Sequence, residues 1–205
     1  MIALVDYGGG NLKSVANAIH ALGYEFTLTS DPKEILSAQA VILPGVGAAA
    51  DTVAGLRAKG LDEAIKELVK RDIPLLAICV GMQVLFDSTE EGGQTKCLGI
   101  LAGEVKRLPD GVKIPQMGWN QLKQRVSHPL FEGIPDGTDF YFVHSYYASP
   151  ADRNIIGATT DYGVDFCSLV INKRLIATQF HPEKSGSYGL KLYQNFFKMT
   201  LGDKK

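Results

Sequence analysis

Two kinds of apolar pattern alternate through the first part of the chain. Short runs rich in apolar and β-branched side chains, at 2–6, 26–29, 40–43 and 75–79, predict strands covered on both faces, as a parallel sheet requires. Between them the apolar positions recur at helical spacing. Leu12, Val15, Ala16, Ile19 and Leu22 make one stripe of a helix over 11–22, followed by Gly23 where a C′ glycine belongs. Ser30-Asp31-Pro32-Lys33-Glu34 has the composition of a helix start, and Leu61, Ala64, Ile65, Leu68 and Val69 predict a helix over 61–69 that ends before Pro74. After Cys79, Met82-Gln83-Val84-Leu85-Phe86 reads as helical again.

Beyond that point the rhythm changes. Strand-like pieces at 98–108, 112–126, 140–148, 155–160 and 167–180 alternate with Gly, Pro and Asn-Lys turn signals, which predicts an antiparallel extension. Leu190, Leu192, Tyr193, Phe196, Phe197 and Leu201 return to helical spacing over 188–201. No repeat, low-complexity tract or linker interrupts the chain. The expectation is one α/β domain over 1–205, with three αβα layers around a mostly parallel central sheet that carries an antiparallel extension.

Composition narrows the function classes. The 205 residues include 21 basic and 22 acidic side chains, with no long run of one sign, so neither nucleic acid nor an anionic membrane is an expected partner. A chain of this length buries roughly 70% of its unfolded surface and can stand without disulfides or metal. Its three cysteines, Cys79, Cys97 and Cys167, form no C-x-x-C pair, which argues against a disulfide framework or a zinc site and for a reducing compartment. The first residues reach Asp6 without a basic segment, and no apolar stretch approaches the ~18 residues of a membrane helix, so a cytoplasmic location is expected.

Three segments carry candidate chemistry. The apolar run Leu75-Leu76-Ala77-Ile78 ends at Cys79 and passes through Val80-Gly81 into a helical pattern. A strand turning sharply into a helix holds its junction residue clear of the sheet, where free N–H groups favour a thiolate. Taken alone, this segment favours Cys79 as a small core residue ending a buried strand. Gln179-Phe180-His181-Pro182-Glu183 shifts that balance: in extended geometry before proline, His181 and Glu183 project to the same side, as a base with its orienting carboxylate. His20 and His128 read as solvated or structural. Val41-Ile42-Leu43-Pro44-Gly45-Val46-Gly47 is a strand breaking into a glycine-bearing loop, a place for backbone N–H groups to stabilise an oxyanion. Asp6-Tyr7-Gly8-Gly9-Gly10-Asn11 invites a dinucleotide reading, but Lys13 stands where G-x-G-x-x-G needs glycine.

Together these motifs resemble the class I glutamine amidotransferase family, which has a Cys-His-Glu triad on a mostly parallel sheet. Pro44-Gly45-Val46-Gly47, Cys79-Val80-Gly81-Met82-Gln83, Pro115-Gln116-Met117-Gly118-Trp119-Asn120, Val143-His144-Ser145-Tyr146-Tyr147 and Phe180-His181-Pro182-Glu183-Lys184-Ser185 are similar to the branch that serves a separate (β/α)8 cyclase subunit in histidine biosynthesis. Val80 departs from the leucine usual after the nucleophile, a change that leaves its backbone N–H in place. The resemblance implies hydrolysis of glutamine by Cys79, His181 and Glu183 without a cofactor or metal, and an oxyanion site at Gly45, Val46 and Val80. It also implies substrate contacts from Gln83, Glu91, Ser145 and Tyr146, with Glu90 as the alternative to Glu91, and a subunit contact through Asn11, Trp119, Tyr141 and Lys184. Weak activity of the isolated chain, raised by the cyclase and its ligand, is implied as well. The rival readings are a glutaminase for an aminodeoxychorismate, anthranilate or pyridoxal phosphate synthase, a stand-alone cysteine hydrolase, and a silent binding subunit.

Overall fold

The computed structural model describes residues 1–202. Strand β1 (Ile2–Val5) is buried at every position and pairs in parallel with β2 (Phe26–Thr29), an edge strand whose Leu28 is half exposed, and with β3 (Ala40–Leu43). The fully buried β4 (Leu75–Ile78) continues the parallel array beside β3. Helix α1 (Leu12–Ala21) links β1 to β2. Helix α2 (Pro32–Ser37) starts where Asp31 accepts from the Lys33 N–H at 2.9 Å and Pro32 opens the first turn. Helices α3 (Ala49–Ala58) and α4 (Leu61–Lys70) link β3 to β4. The β1 to β2 crossover runs opposite to the two that follow, so right-handed connections put α1 on one face of the sheet and α2, α3 and α4 on the other.

Past β4 come the one-turn helix α5 (Val80–Gln83) and the strands β5 (Ser88–Thr89), β6 (Thr95–Lys96), β7 (Gly103–Arg107), β8 (Gln116–Gln124), β9 (Thr138–His144), β10 (Tyr146–Pro150), β11 (Ile156–Asp161), β12 (Asp165–Asn172) and β13 (Leu175–Thr178), then helix α6 (Gly186–Leu201), which packs with α1. The sheet order is β2-β1-β3-β4-β13-β12-β10-β7-β5-β6, with β11, β8 and β9 branching from β12. Strand β13 is the seam, parallel to β4 and antiparallel to β12.

Several elements differ from the pattern reading. Helix α3 was not expected, because its buried face is Ala49, Thr52, Val53 and Leu56, too small and polar to mark a stripe. The helix expected over 82–86 stops after one turn. The carbonyls of Val84, Leu85 and Phe86 accept instead from Leu98, Gly99, Ile100 and Leu101, which makes 98–101 a loop pinned by the buried Leu98 and Leu101 and delays the strand to Gly103. The piece at 140–148 divides at Ser145 into β9 and β10, and that at 167–180 is the β12–β13 hairpin turning at Lys173, whose φ is 54°. Among the described residues no helix is long and apolar enough to cross a membrane.

Candidate active site

Cys79 is the entire connection between β4 and α5. Its backbone sits at φ 54° and ψ −112°, a region that costs a non-glycine residue about 1–3 kcal/mol. Tight packing holds it there: the Cys79 N–H donates to the Thr178 carbonyl at 2.7 Å, and its carbonyl accepts from Met82 and Gln83. Gly81 makes the turn possible, since a Cβ there would stand 2.5 Å from the Leu43 carbonyl oxygen. A Cβ on Gly45 would lie 2.1 Å from the Gly81 nitrogen. The ends of β3 and β4 therefore touch backbone to backbone, which no larger side chain permits.

Strand β13 delivers the histidine. Its chain continues through Gln179 and Phe180 to His181, whose Nδ1 lies 2.8 Å from Glu183 Oε1, both side chains being 1% exposed. The pair meets through a 3₁₀ turn over Pro182–Lys184 rather than the extended geometry expected from the sequence. Pro182 occupies the first position of that turn, and the Ser185 hydroxyl braces it by donating to the His181 carbonyl at 2.6 Å and accepting from the Tyr141 N–H at 3.0 Å. Nε2 of His181 is buried without a hydrogen bond of ordinary geometry, and the Cys79 thiol is the group it faces. Burial opposes a charge on the ring, yet Cys79 and Glu183 together outweigh it and raise the pKa to about 10.

Cys79 and His181 open onto a cavity of about 250 Å³ that is also lined by Gln83, Glu91, Ser145 and Tyr146. Cavities for drug-sized ligands run to roughly 300–1,000 Å³, so this one suits a molecule the size of an amino acid. Glu91 reaches it while its Oε2 accepts from the Ala49 N–H at 2.7 Å. Glu90 turns away, accepting from the Arg107 N–H at 2.7 Å. Gln83 spends its amide hydrogens on the Tyr146 carbonyl (2.8 Å) and Gln179 Oε1 (3.0 Å), which leaves its own oxygen for a donor. The Ser145 carbonyl is already bonded to the Leu108 N–H at 2.9 Å.

A strained cysteine turn, a buried His–Glu pair and a small cavity lined by Cys79 and His181 coincide with a family match: residues 3–200 match the class-I glutamine amidotransferase family. The chain belongs to that family. It is 89% identical over 205 residues to imidazole glycerol phosphate synthase subunit HisH of Dehalococcoides mccartyi, covering 100% of both chains. It is 53% identical over 195 residues to the subunit of the same name from Moorella thermoacetica, covering 95% of this chain and 93% of that one. A crystal structure of a glutamine amidotransferase has the same fold, with a TM-score of 0.77 at 20% identity over 98% of this chain and 99% of that one.

In this amidotransferase the loop after β3 is a thin wall. Val46 and Gly47 line the Cys79 cavity on one side and a second cavity of about 200 Å³, shared with Tyr7, Gly9 and Thr52, on the other. The Val46 N–H faces the buried Tyr7 hydroxyl, whose pKa burial pushes up. Gly45 does not line the Cys79 cavity but packs on Gly81. The Val80 N–H, at the first position of α5, has no acceptor within the helix. On the outer surface Trp119 is 58% exposed, which excludes a core role. Its ring meets Tyr141 edge-on with centroids 6.1 Å apart, and Lys184 Nζ lies 6.0 Å from the Tyr141 ring centroid. Asn11 precedes α1 and makes no side-chain capping bond.

Two polar residues of the site were not singled out by the sequence reading. Gln179 is fully buried with its Nε2 3.7 Å from Cys79 Sγ. Its place directly after the buried β13 and two residues before His181 was the available signal. His144 is buried with Nδ1 2.8 Å from the Tyr146 carbonyl and Nε2 2.8 Å from the Gln116 side-chain amide, a neutral ring whose pKa burial lowers to about 4. Among the described residues no group of His, Cys, Asp or Glu is arranged to hold a metal ion.

Proposed function

We propose that this chain is the glutaminase subunit of imidazole glycerol phosphate synthase. The observation that carries the reading is the buried His181–Glu183 pair facing the strained Cys79 at an amino-acid-sized cavity. The full-length similarity to subunits named HisH supplies the synthase. His181 accepts the Cys79 proton or already holds it as the imidazolium paired with the thiolate, and the sulfur attacks the side-chain carboxamide carbon of glutamine. The tetrahedral oxyanion is met by the Val80 N–H and, once its peptide turns from Tyr7 toward the cavity, by that of Val46 in the loop begun by Gly45. His181 then protonates the departing ammonia, leaving a glutamyl thioester, and next activates the water that releases glutamate while Glu183 holds the ring. Gln83, Glu91, Ser145 and Tyr146 hold the substrate.

The ammonia passes to a (β/α)8 cyclase subunit, which makes imidazole glycerol phosphate and aminoimidazole carboxamide ribotide in the cytoplasm. Asn11, Trp119, Tyr141 and Lys184 form the heterodimer contact, and the reaction uses no cofactor. The test is glutamate release with candidate cyclase subunits added one at a time, alongside mass spectrometry for a glutamine-derived adduct on Cys79. The expected result is an adduct at Cys79 and strong stimulation by the imidazole glycerol phosphate cyclase with its ligand. Stimulation only by a chorismate or pyridoxal partner, equal rates with and without any partner, or an unmodified Cys79 with full synthase activity would each reject it.

A further inference from the structure

We propose that Gln179 is a further catalytic residue: its side-chain amide donates to the sulfur of Cys79 and favours the thiolate over the thiol. The inference rests on Cys79 being the nucleophile. Gln179 has 0% exposure, and its Nε2 lies 3.7 Å from Cys79 Sγ. The other end of the amide is committed, because Oε1 accepts from Gln83 Nε2 at 3.0 Å, and Gln83 is in turn anchored by donating to the Tyr146 carbonyl at 2.8 Å. Reversing the Gln179 amide would set two NH₂ groups against each other and aim a carbonyl oxygen at the sulfur. Its orientation toward Cys79 is therefore fixed before any substrate arrives.

That orientation discriminates between the protonation states of the sulfur. The neutral thiol donates to the Val143 carbonyl over a long 3.9 Å and is a weak acceptor for Gln179. When the proton moves from Sγ to His181 Nε2, the Val143 bond is lost and the Gln179 bond becomes charge-assisted, the stronger class of hydrogen bond. A dipole held in place by Gln83 costs no reorganisation at that moment.

The test replaces Gln179 by Leu, close in size but without a donor, and by Glu, close in shape but with oxygen toward the sulfur. Alkylation of Cys79 by iodoacetamide is followed against pH, with Cys79→Ser as the blank, since burial raises the thiols of Cys97 and Cys167 to about 11 and about 12. For Gln179→Leu the midpoint rises by about one pH unit and kcat for glutamine falls about tenfold, while KM changes less than threefold, which a hydrogen bond worth about 1.4 kcal/mol gives. Gln179→Glu shifts the midpoint further in the same direction. A wild-type midpoint in either variant that keeps a folded melting transition overturns the proposal, and Glu decides the matter if Leu does not fold. Should Cys79 of the unmodified protein resist alkylation at every pH while glutamine is still hydrolysed, the reading of Cys79 itself fails instead.

Discussion

Two histidines buried within one site titrate in opposite directions, because burial is opposed by an anion at one and by a single carbonyl at the other. The ring of His144 loses solvent and gains only the Tyr146 carbonyl, and with the nearby charge of His181 also disfavouring a second cation its pKa falls to about 4. The unfolded chain takes up this proton near pH 6.5 and the folded chain does not, so the folded state loses stability as pH falls from about 6.5 to about 4, by roughly 3 kcal/mol in all. Replacing His144 by Gln removes this acid-sensitive term. Melting temperatures measured across that window should drop less in the variant than in the parent. For His181 the sign reverses: its raised pKa, to about 10, adds stability that is complete below the unfolded value of about 6.5 and fades as pH climbs through the folded one. Cys79 supplies the larger share of that gain and Glu183 the next. The melting-temperature gap between the parent and Glu183→Gln should thus be widest near pH 6 and close toward pH 10, and Glu183→Gln should lower kcat about 100-fold or more by releasing the ring from its tautomer.

At the scale of elements, legibility followed the kind of force that builds each one. Strands β1, β3 and β4 are apolar at every position, so burial alone dictates them, and residues 40–43 are bounded as the pattern predicted. Helix α3 has no such mark and is held partly from far away: its N-cap, Ala48, offers no side-chain oxygen, and Glu91 supplies one to the Ala49 N–H. That bond spans 42 residues, so no local reading finds it. The same distance effect hid the 3₁₀ turn at Pro182, stabilised by a bond to Tyr141 in another strand, and the Gln83–Gln179 contact beneath Cys79. By contrast the strand-to-helix turn at Cys79 and the pairing of His181 with Glu183 could be read because each is local: an apolar run passing directly into a helical pattern, or two side chains two residues apart. Glu91 therefore does two jobs, lining the cavity and anchoring the helix that follows Val46-Gly47. Glu91→Ala is expected to cost about 1 kcal/mol of stability, as a lost cap does, and also to raise KM for glutamine; chemical denaturation and steady-state kinetics read the two effects separately. Glu91→Gln, which can still accept at Ala49, should recover most of the stability and less of the KM.

The molecule as a whole places its cavity where two sheet styles meet. The parallel half supplies Cys79 at the end of β4, the antiparallel extension supplies Ser145 between β9 and β10 and Tyr146 at the start of β10, and the seam strand β13 leads to Gln179 and His181. A chain of close polar contacts crosses that seam, from the Gln116 side chain through His144, the Tyr146 carbonyl, Gln83 and Gln179 to the Cys79 sulfur. Gln116 opens β8, and Trp119, three residues on, stands exposed on the same strand beside Tyr141. The face assigned to the cyclase thus shares a strand with the outer end of the chain that reaches the nucleophile. Because Trp119 projects into solvent, its loss should cost the free subunit little, whereas a tryptophan anchoring an interface is worth about 2 kcal/mol or more, or about 30-fold in Kd. Trp119→Ala should therefore keep the melting temperature within a degree or two while weakening cyclase binding by that factor in titration calorimetry. At saturating cyclase, if β8 transmits occupancy to Cys79 rather than merely holding the partner, stimulation of glutamate release should stay below the parent's even with every subunit bound. Full stimulation at saturation would assign Trp119 to affinity alone.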